Sequence, residues 1–196
     1  MIPAAPPSST GVNDPTKAVS DEVWYRTMYS YKDGMVKQYF DAQGVHPGGS
    51  ANPPDSLWPD SPSTADGWTT DRTFYFRRVE DVRALMVEYG MERTPIWITE
   101  FGWATANSSP GFEFGNQVSY DQQAEYIVGA MRRTAEQYPW VGAMFLWNLN
   151  FAPIKAQQGE PTHEQASFSI VNGDYSPRPS YIAIQQYIAQ LRASGR

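Results

Sequence analysis

The sequence contains no cysteine and only two histidines, His46 and His163. The first absence excludes a disulfide-stapled scaffold, a thiolate nucleophile and a cysteine-ligated zinc or iron–sulfur centre. The second argues against a histidine-rich metal site, and no cofactor is expected. Positive charge is also scarce: 15 Lys and Arg stand against 21 Asp and Glu, a net charge of −6. Tracking phosphates along a nucleic acid needs a basic face, so nucleic acid is not an expected partner. Uncharged substrates such as sugars are compatible with this balance. No apolar run approaches the roughly 20 residues that span a bilayer, so no membrane partner is expected either. Residues 1–10 lack the basic stretch and apolar core of a signal peptide. The chain as written carries no export signal, although a parent enzyme could be secreted.

Aromatic residues, by contrast, are abundant. Seven Trp, 12 Tyr and 9 Phe make up 14% of the chain, apolar residues 41% and charged residues only 18%. Disordered chains show the opposite balance, and 196 residues suffice for a single domain with a core. There is no internal repeat. Residues 1–17 are rich in Pro, Ser and Thr and read as irregular.

Beyond them, helical and strand patterns alternate. Residues 20–31 fit a helix capped by Ser20, with Val23, Trp24, Thr27 and Met28 on one side. Residues 38–46 read as a strand, with Asp41 inside it. The spacing of Val79, Val82, Met86 and Tyr89 predicts a helix over 77–89, stopped by Gly90. Pro95-Ile-Trp-Ile-Thr-Glu100 is a compact apolar strand. Ser119-Tyr-Asp-Gln122 matches a capping box at the head of the next helix. Val141-Gly-Ala-Met-Phe-Leu-Trp147 is a further strand, and a last helix covers 179–191, with Ile184, Ile188 and Leu191 inward. Strands that are continuously apolar rather than alternating suggest a parallel sheet buried on both faces, and their alternation with helices implies right-handed βαβ units. The helix-to-strand links are short. The strand-to-helix links, 47–74, 101–118 and 148–178, are long. Long loops in compact domains are usually functional, and these leave the C-terminal ends of parallel strands, where α/β barrels and open α/β sheets keep their sites. A nucleotide-binding doubly wound sheet would carry a glycine-rich phosphate loop, and no such motif is present.

Glu100 is the leading candidate for chemistry. Most glutamates are merely solvated, but this one ends an apolar strand and is followed by Phe101-Gly-Trp103. A carboxylate in that place is where barrel enzymes hold a nucleophile. His46, after Gly44-Val45, is either a strand-end cap or a contact to substrate or carboxylate. Trp147, before Asn148, is either core or a platform for a sugar ring. Trp58, Trp68 and Trp103 lie in the long loops, where burial is less expected.

Three motifs in order, Gly44-Val-His-Pro47, Ile98-Thr-Glu100-Phe-Gly-Trp103 and Phe145-Leu-Trp-Asn148, resemble the C-terminal half of a retaining glycoside hydrolase. The family is the large clan of (β/α)8-barrel cellulases, β-xylosidases and related β-glycosidases, and the resemblance covers roughly residues 10–190. It implies that Glu100, ending the seventh strand, is the nucleophile. It implies that Trp147 floors the subsite of the cleaved sugar and that His46, ending the sixth strand, contacts substrate or the catalytic centre. Trp103 and Asn148, within the same motifs, join the expected substrate-binding residues. The clan's acid/base glutamate ends the fourth strand, usually in an Asn-Glu pair. This chain has no such pair, and Ile2-Pro-Ala-Ala resembles the tail of the fifth strand. The expectation is therefore one incomplete barrel domain over 1–196, a half barrel of three to four parallel βα units lacking strands one to four. Glu113, Glu160 and Glu164 lie in loops as possible substitutes for the acid.

Three strands and a stub cannot close a barrel, so a homo-oligomer or an N-terminal half-barrel partner is expected to cover the open edges. The function implied by the resemblance is hydrolysis of β-linked oligosaccharides or polysaccharides by the retaining mechanism, weak or absent in this chain alone. The alternative is a non-catalytic carbohydrate-binding or assembly module derived from such a barrel.

Overall fold

A computed structural model describes residue 16, residues 19–60, residue 64 and residues 71–195. The expectations for the irregular start of the chain, for the strand-tail resemblance of Ile2 and for Trp68 lie outside these residues. The elements run in the order α1 (Asp21–Ser30), β1 (Gln43–Val45), α2 (Arg78–Glu88), β2 (Ile96–Phe101), α3 (Tyr120–Gln137), β3 (Val141–Leu146), α4 (Phe151–Gln157), α5 (Glu164–Ser167) and α6 (Pro179–Ala193), with short 3-10 turns between them. The sheet has three strands in the order β1-β2-β3, and both pairings are parallel. This is the expected α/β class, consistent with an arc of a barrel.

The helix ends follow from the sequence signals. The Ser20 side chain accepts a hydrogen bond from Val23 N, as an N-cap does. Ser119 and Gln122 form the reciprocal capping box at the head of α3. Gly90, at φ +74°, closes α2 in a Schellman arrangement. Its N–H donates to the Val87 carbonyl at 2.9 Å, and that of Met91 to the Met86 carbonyl at 2.8 Å.

Three expectations need correction. First, α1 buries Asp21, Tyr25 and Tyr29 most deeply; of the expected side Trp24 and Met28 pack partly buried against the core, whereas Val23 is 40% exposed. The two tyrosines bury their rings because their hydroxyls find acceptors, the Gly44 carbonyl at 3.2 Å and Gln43 Oε1 at 2.9 Å. Asp21 is buried because the Arg78 guanidinium grips it at 2.8 and 3.2 Å. Second, β1 is only three residues long. Its neighbour β2 begins at Ile96, paired with Gln43, so among the described residues there is no ladder further upstream. Asp41 therefore precedes the strand and lies on the surface. Third, the expected loop 148–178 contains α4 and α5.

The sheet's two faces differ. On the helix side, Val45, Ile96, Ile98 and Phe101 are nearly inaccessible and pack with Phe76, Val79, Met86 and Ile127. On the other side, the rings of Trp97 and Phe145 meet at 6.0 Å, with Phe145 49% exposed. Among the described residues, no helix is long and apolar enough to cross a membrane, and no cluster of His, Cys, Asp and Glu is placed to hold a metal ion.

Candidate functional site

Simple strand alternation would put Glu100 in the wrong place. Ile96, Ile98 and residue 100 lie two apart, so a regular strand would point all three at the helix layer. The register shows how this is avoided. Ile98 pairs with Met144 but Phe101 pairs with Leu146. One extra residue is thus accommodated on β2 at Thr99-Glu100, a β-bulge. Phe101 takes the next buried place on the helix side, at 4% exposure, and the Glu100 side chain is left 41% exposed at the strand end. A compensating bulge on β3, at Gly142 between the Ile96–Val141 and Trp97–Ala143 pairs, restores the overall register. A Cβ on Gly142 would come within 3.0 Å of the Trp97 indole nitrogen, so glycine suits that bulge.

Glu100 opens into a cleft of about 390 Å³ at the C-terminal ends of the strands, shared with His46 and Trp147. The three residues expected to converge therefore lie on one side of the sheet. His46 Nδ1 stands 4.0 Å from Glu100 Oε2, with both side chains more than a third exposed. Water screens such a pair, and its contribution to stability is small. Its relevance is positional, because it places a hydrogen-bonding ring beside the carboxylate. Trp147 is half-buried, held by a bond from its N–H to the Phe101 carbonyl at 2.8 Å and by the ring of Phe151 at 5.1 Å. The Trp147–Asn148 peptide is cis. Gly102 allows this approach, since a Cβ there would lie 2.1 Å from the Trp147 carbonyl oxygen.

Two of the expected substrate-binding residues are used by the fold instead. Trp103 is 1% exposed. Its ring packs on Phe76 at 6.0 Å and Tyr126 at 5.8 Å, and its Nε1 donates to the Asn52 carbonyl at 2.8 Å. It lies directly beneath Gly49, where any Cβ would fall within 2.2 Å of the indole. Trp103 thus supports the loop that follows His46 and offers no face to a sugar. Asn148 is 5% exposed. Its amide donates to the Gln165 carbonyl at 2.9 Å and its Oδ1 accepts from Phe151 N at 3.1 Å, which ties α5 to the head of α4. The sequence reading missed the phenylalanine walls of the cleft, Phe74, Phe112, Phe114 and Phe168. Phe112-Glu-Phe114, two aromatics in a long loop, was the available signal.

Among the described residues, Glu100 is the one acid lining the cleft. Glu113, Glu160 and Glu164 do not line it. Hydrogen bonds from its own backbone amide and that of Gly111 hold the Glu113 carboxyl below the usual carboxylate range, and the Lys155 ammonium at 3.0 Å does the same for Glu160. Burial pushes Glu164 up, against the pull of His163 and Lys155.

No protein-family model matches the chain, and no curated protein matches it. Two solved structures are similar. One is a family 39 glycoside hydrolase from the gut symbiont Bacteroides cellulosilyticus, at 16% identity and a TM-score of 0.45 over 75% of this chain and 27% of that one. The other is a Faecalibacterium prausnitzii beta-glucuronidase, at 14% identity and a TM-score of 0.42 over 82% of this chain and 24% of that one. The chain thus spans about a quarter of the length of either structure.

Proposed function

We propose that this chain carries the nucleophile side of a retaining glycosidase site for β-linked glycans, within a half barrel of the clan its motifs resemble. The observation that carries the reading is Glu100, turned by the β2 bulge out of the helix-facing row and into an aromatic cleft beside His46 and Trp147. In this reading the Glu100 carboxylate attacks the anomeric carbon. A glycosyl ester forms as the bond to the leaving oxygen breaks, and water later hydrolyses the ester. Trp147 offers its ring to the sugar's C–H face.

Retaining hydrolysis also needs a second carboxyl group about 5–5.5 Å from the first. That group belongs to a partner in this proposal, either a second copy or an N-terminal half barrel that also covers the face bearing Trp97 and Phe145. General acid catalysis typically contributes 10²–10⁴-fold, so turnover of natural glycan by the chain alone is weak or absent. An activated aryl glycoside needs little acid assistance in forming the ester, and the ester persists because the missing group would also have served as the base. A fluoro-glycoside inactivator with a good leaving group is expected to label Glu100, and Glu100→Gln to abolish labelling without loss of helical signal. Labelling at another residue overturns the assignment.

The alternative, a non-catalytic carbohydrate-binding or assembly module, is favoured by the single acid that lines the cleft among the described residues. It predicts glycan binding without labelling. Robust turnover of natural glycan by this chain alone would exclude it.

A further inference from the structure

α5 clamps two walls of the cleft together. On one side Ser108 N donates to the Thr162 carbonyl at 2.9 Å, and the two hydroxyls meet at 2.7 Å. Glu164 N donates to Ser109 Oγ at 2.9 Å, and Thr105 donates to the Ser167 carbonyl through both its amide and its hydroxyl, at 3.2 and 3.0 Å. On the other side Asn148 holds the Gln165 carbonyl. The next residue after α5, Phe168, lines the cleft. A helix of four residues has little internal cooperativity, so its end contacts matter more than usual.

Its N-cap is His163. The ring Nδ1 accepts from Gln165 N at 3.2 Å, while Glu164 Oε2 stands 3.1 Å from the same Nδ1. That carboxylate oxygen is buried and has no hydrogen-bond donor among the described residues. An imidazole nitrogen carries either a lone pair or a proton. Nδ1 can cap Gln165 or engage Glu164 through a proton, but it cannot do both.

We propose that His163 and Glu164 form a proton-operated latch at the head of α5. Without the proton, the Nδ1 lone pair caps the helix and Glu164 Oε2 is left unpaired. Uptake of one proton from solvent places it between Nδ1 and Oε2. The buried oxygen is then satisfied, Gln165 N–H loses its acceptor, and the clamp on Phe168 loosens. Whether that proton resides on nitrogen or on oxygen, Nδ1 is lost to Gln165.

The charged surroundings support this exchange. His163 itself and, after it, Lys155 from α4 oppose protonation of Glu164, and the Lys155 ammonium is shared with Glu160 at 3.0 Å. Burial of the Glu164 carboxyl outweighs their combined pull and raises it above the usual carboxylate range. Arg178, at the head of α6, is directed to the opposite end of α5, to the carbonyls of Ala166, Ser167 and Ser169. Residues 102–112, packed against the latch, include no titratable side chain. The latch bears on the glycosidase reading only through the cleft wall, and its test needs no substrate.

The test uses the full chain labelled with ¹⁵N. Ring nitrogen spectra of its two histidines, assigned with His46→Asn, are recorded from about pH 8 to about pH 5, the range over which histidine commonly titrates. The protection factor of the Gln165 amide is measured in parallel. At high pH the His163 Nδ1 is expected to be bare and the Gln165 amide protected. On acidification protection falls about tenfold, the loss of roughly 1.4 kcal/mol of capping, in the same step that protonates the pair. In Glu164→Gln the step moves to lower pH, and in His163→Asn, which caps without titrating, protection no longer depends on pH. The proposal is overturned by a protonated Nδ1 at high pH, by pH-independent protection in the wild type, or by an unmoved step in Glu164→Gln. Failure of the fluoro-glycoside experiment would leave each of these readouts intact.

Discussion

The two faces of the small sheet differ more than the strands that form them. The helix-facing row of Val45, Ile96, Ile98 and Phe101 is 0–4% exposed and joins the cluster around Phe76, Val79 and Met86. The opposite row carries the half-buried Trp97 and the 49%-exposed Phe145. Parallel sheets are normally covered on both sides. The difference assigns the two faces different work. The covered face holds the chain together and fixes the backbone under Glu100, while the open face is the one the proposed partner would cover.

That contrast can be broken from either side. The largest effect is expected at the support of the cleft. Trp103→Ala removes a fully buried indole and leaves a cavity, a loss of about 3–5 kcal/mol by the usual cost of such truncations, read as a fall in the urea midpoint. Phe145→Ser, on the open face, is expected to change stability by no more than about 0.5 kcal/mol, while reducing both self-association in light scattering and binding of a dye that reports apolar surface. Equal losses at the two positions would show that the open face is closed in solution by a contact as tight as the core.

A smaller loss, about 1–3 kcal/mol, is expected from Asp21→Ala, which leaves Arg78 buried without its bidentate partner but still paired with Asp81 at 3.0 Å. Asp21→Ala combined with Arg78→Met is expected to recover part of it, and chemical denaturation of the double variant checks this. A smaller effect sharpens the picture at the head of α3. Ser119→Ala removes half of the capping box and is expected to cost about 1 kcal/mol, visible as a drop in Tm.

The smallest effect concerns pH. Burial alone would raise the Glu80 carboxyl, but bonds from Arg77 and Tyr138, with Arg133 nearby, hold it below its usual 4.5. A group lowered on folding contributes stability above its unfolded value and loses it as pH falls through the folded one. Wild-type Tm is therefore expected to fall below about pH 4.5 more steeply than that of Glu80→Gln, and identical acid limbs would remove Glu80 from the account.

Much of this was legible in the sequence for local reasons. Ser20, Ser119 with Gln122, and Gly90 mark helix ends through contacts within a few residues. The convergence of His46, Glu100 and Trp147 was legible because parallel strands present their C-terminal ends on one side. What stayed hidden depends on partners distant in the chain. The burial of Asp21 depends on Arg78, 57 residues away. The burial of Trp103 depends on the Asn52 carbonyl and the Phe76 ring, neither of which a loop assignment reveals. The bulge that frees Glu100 is a property of two strands together, and the alternation of Ile96 and Ile98 on one strand points the other way.

The contact at Gly102 has a consequence for how this cleft could diversify. Where a side chain on residue 102 would stand, the carbonyl oxygen of Trp147 already stands, 2.1 Å from the place of a Cβ. The gap between the ends of β2 and β3 is therefore gauged by main chain against main chain. Exchanging Trp147 for another aromatic residue changes what the floor touches and leaves the gauge alone. Any side chain at 102 forces the end of β3 outward, carrying Trp147 and, through their ring contact, Phe151 with it. Sequence change can reshape the cleft wall at residue 147, but it cannot add a side chain at residue 102 without displacing Trp147.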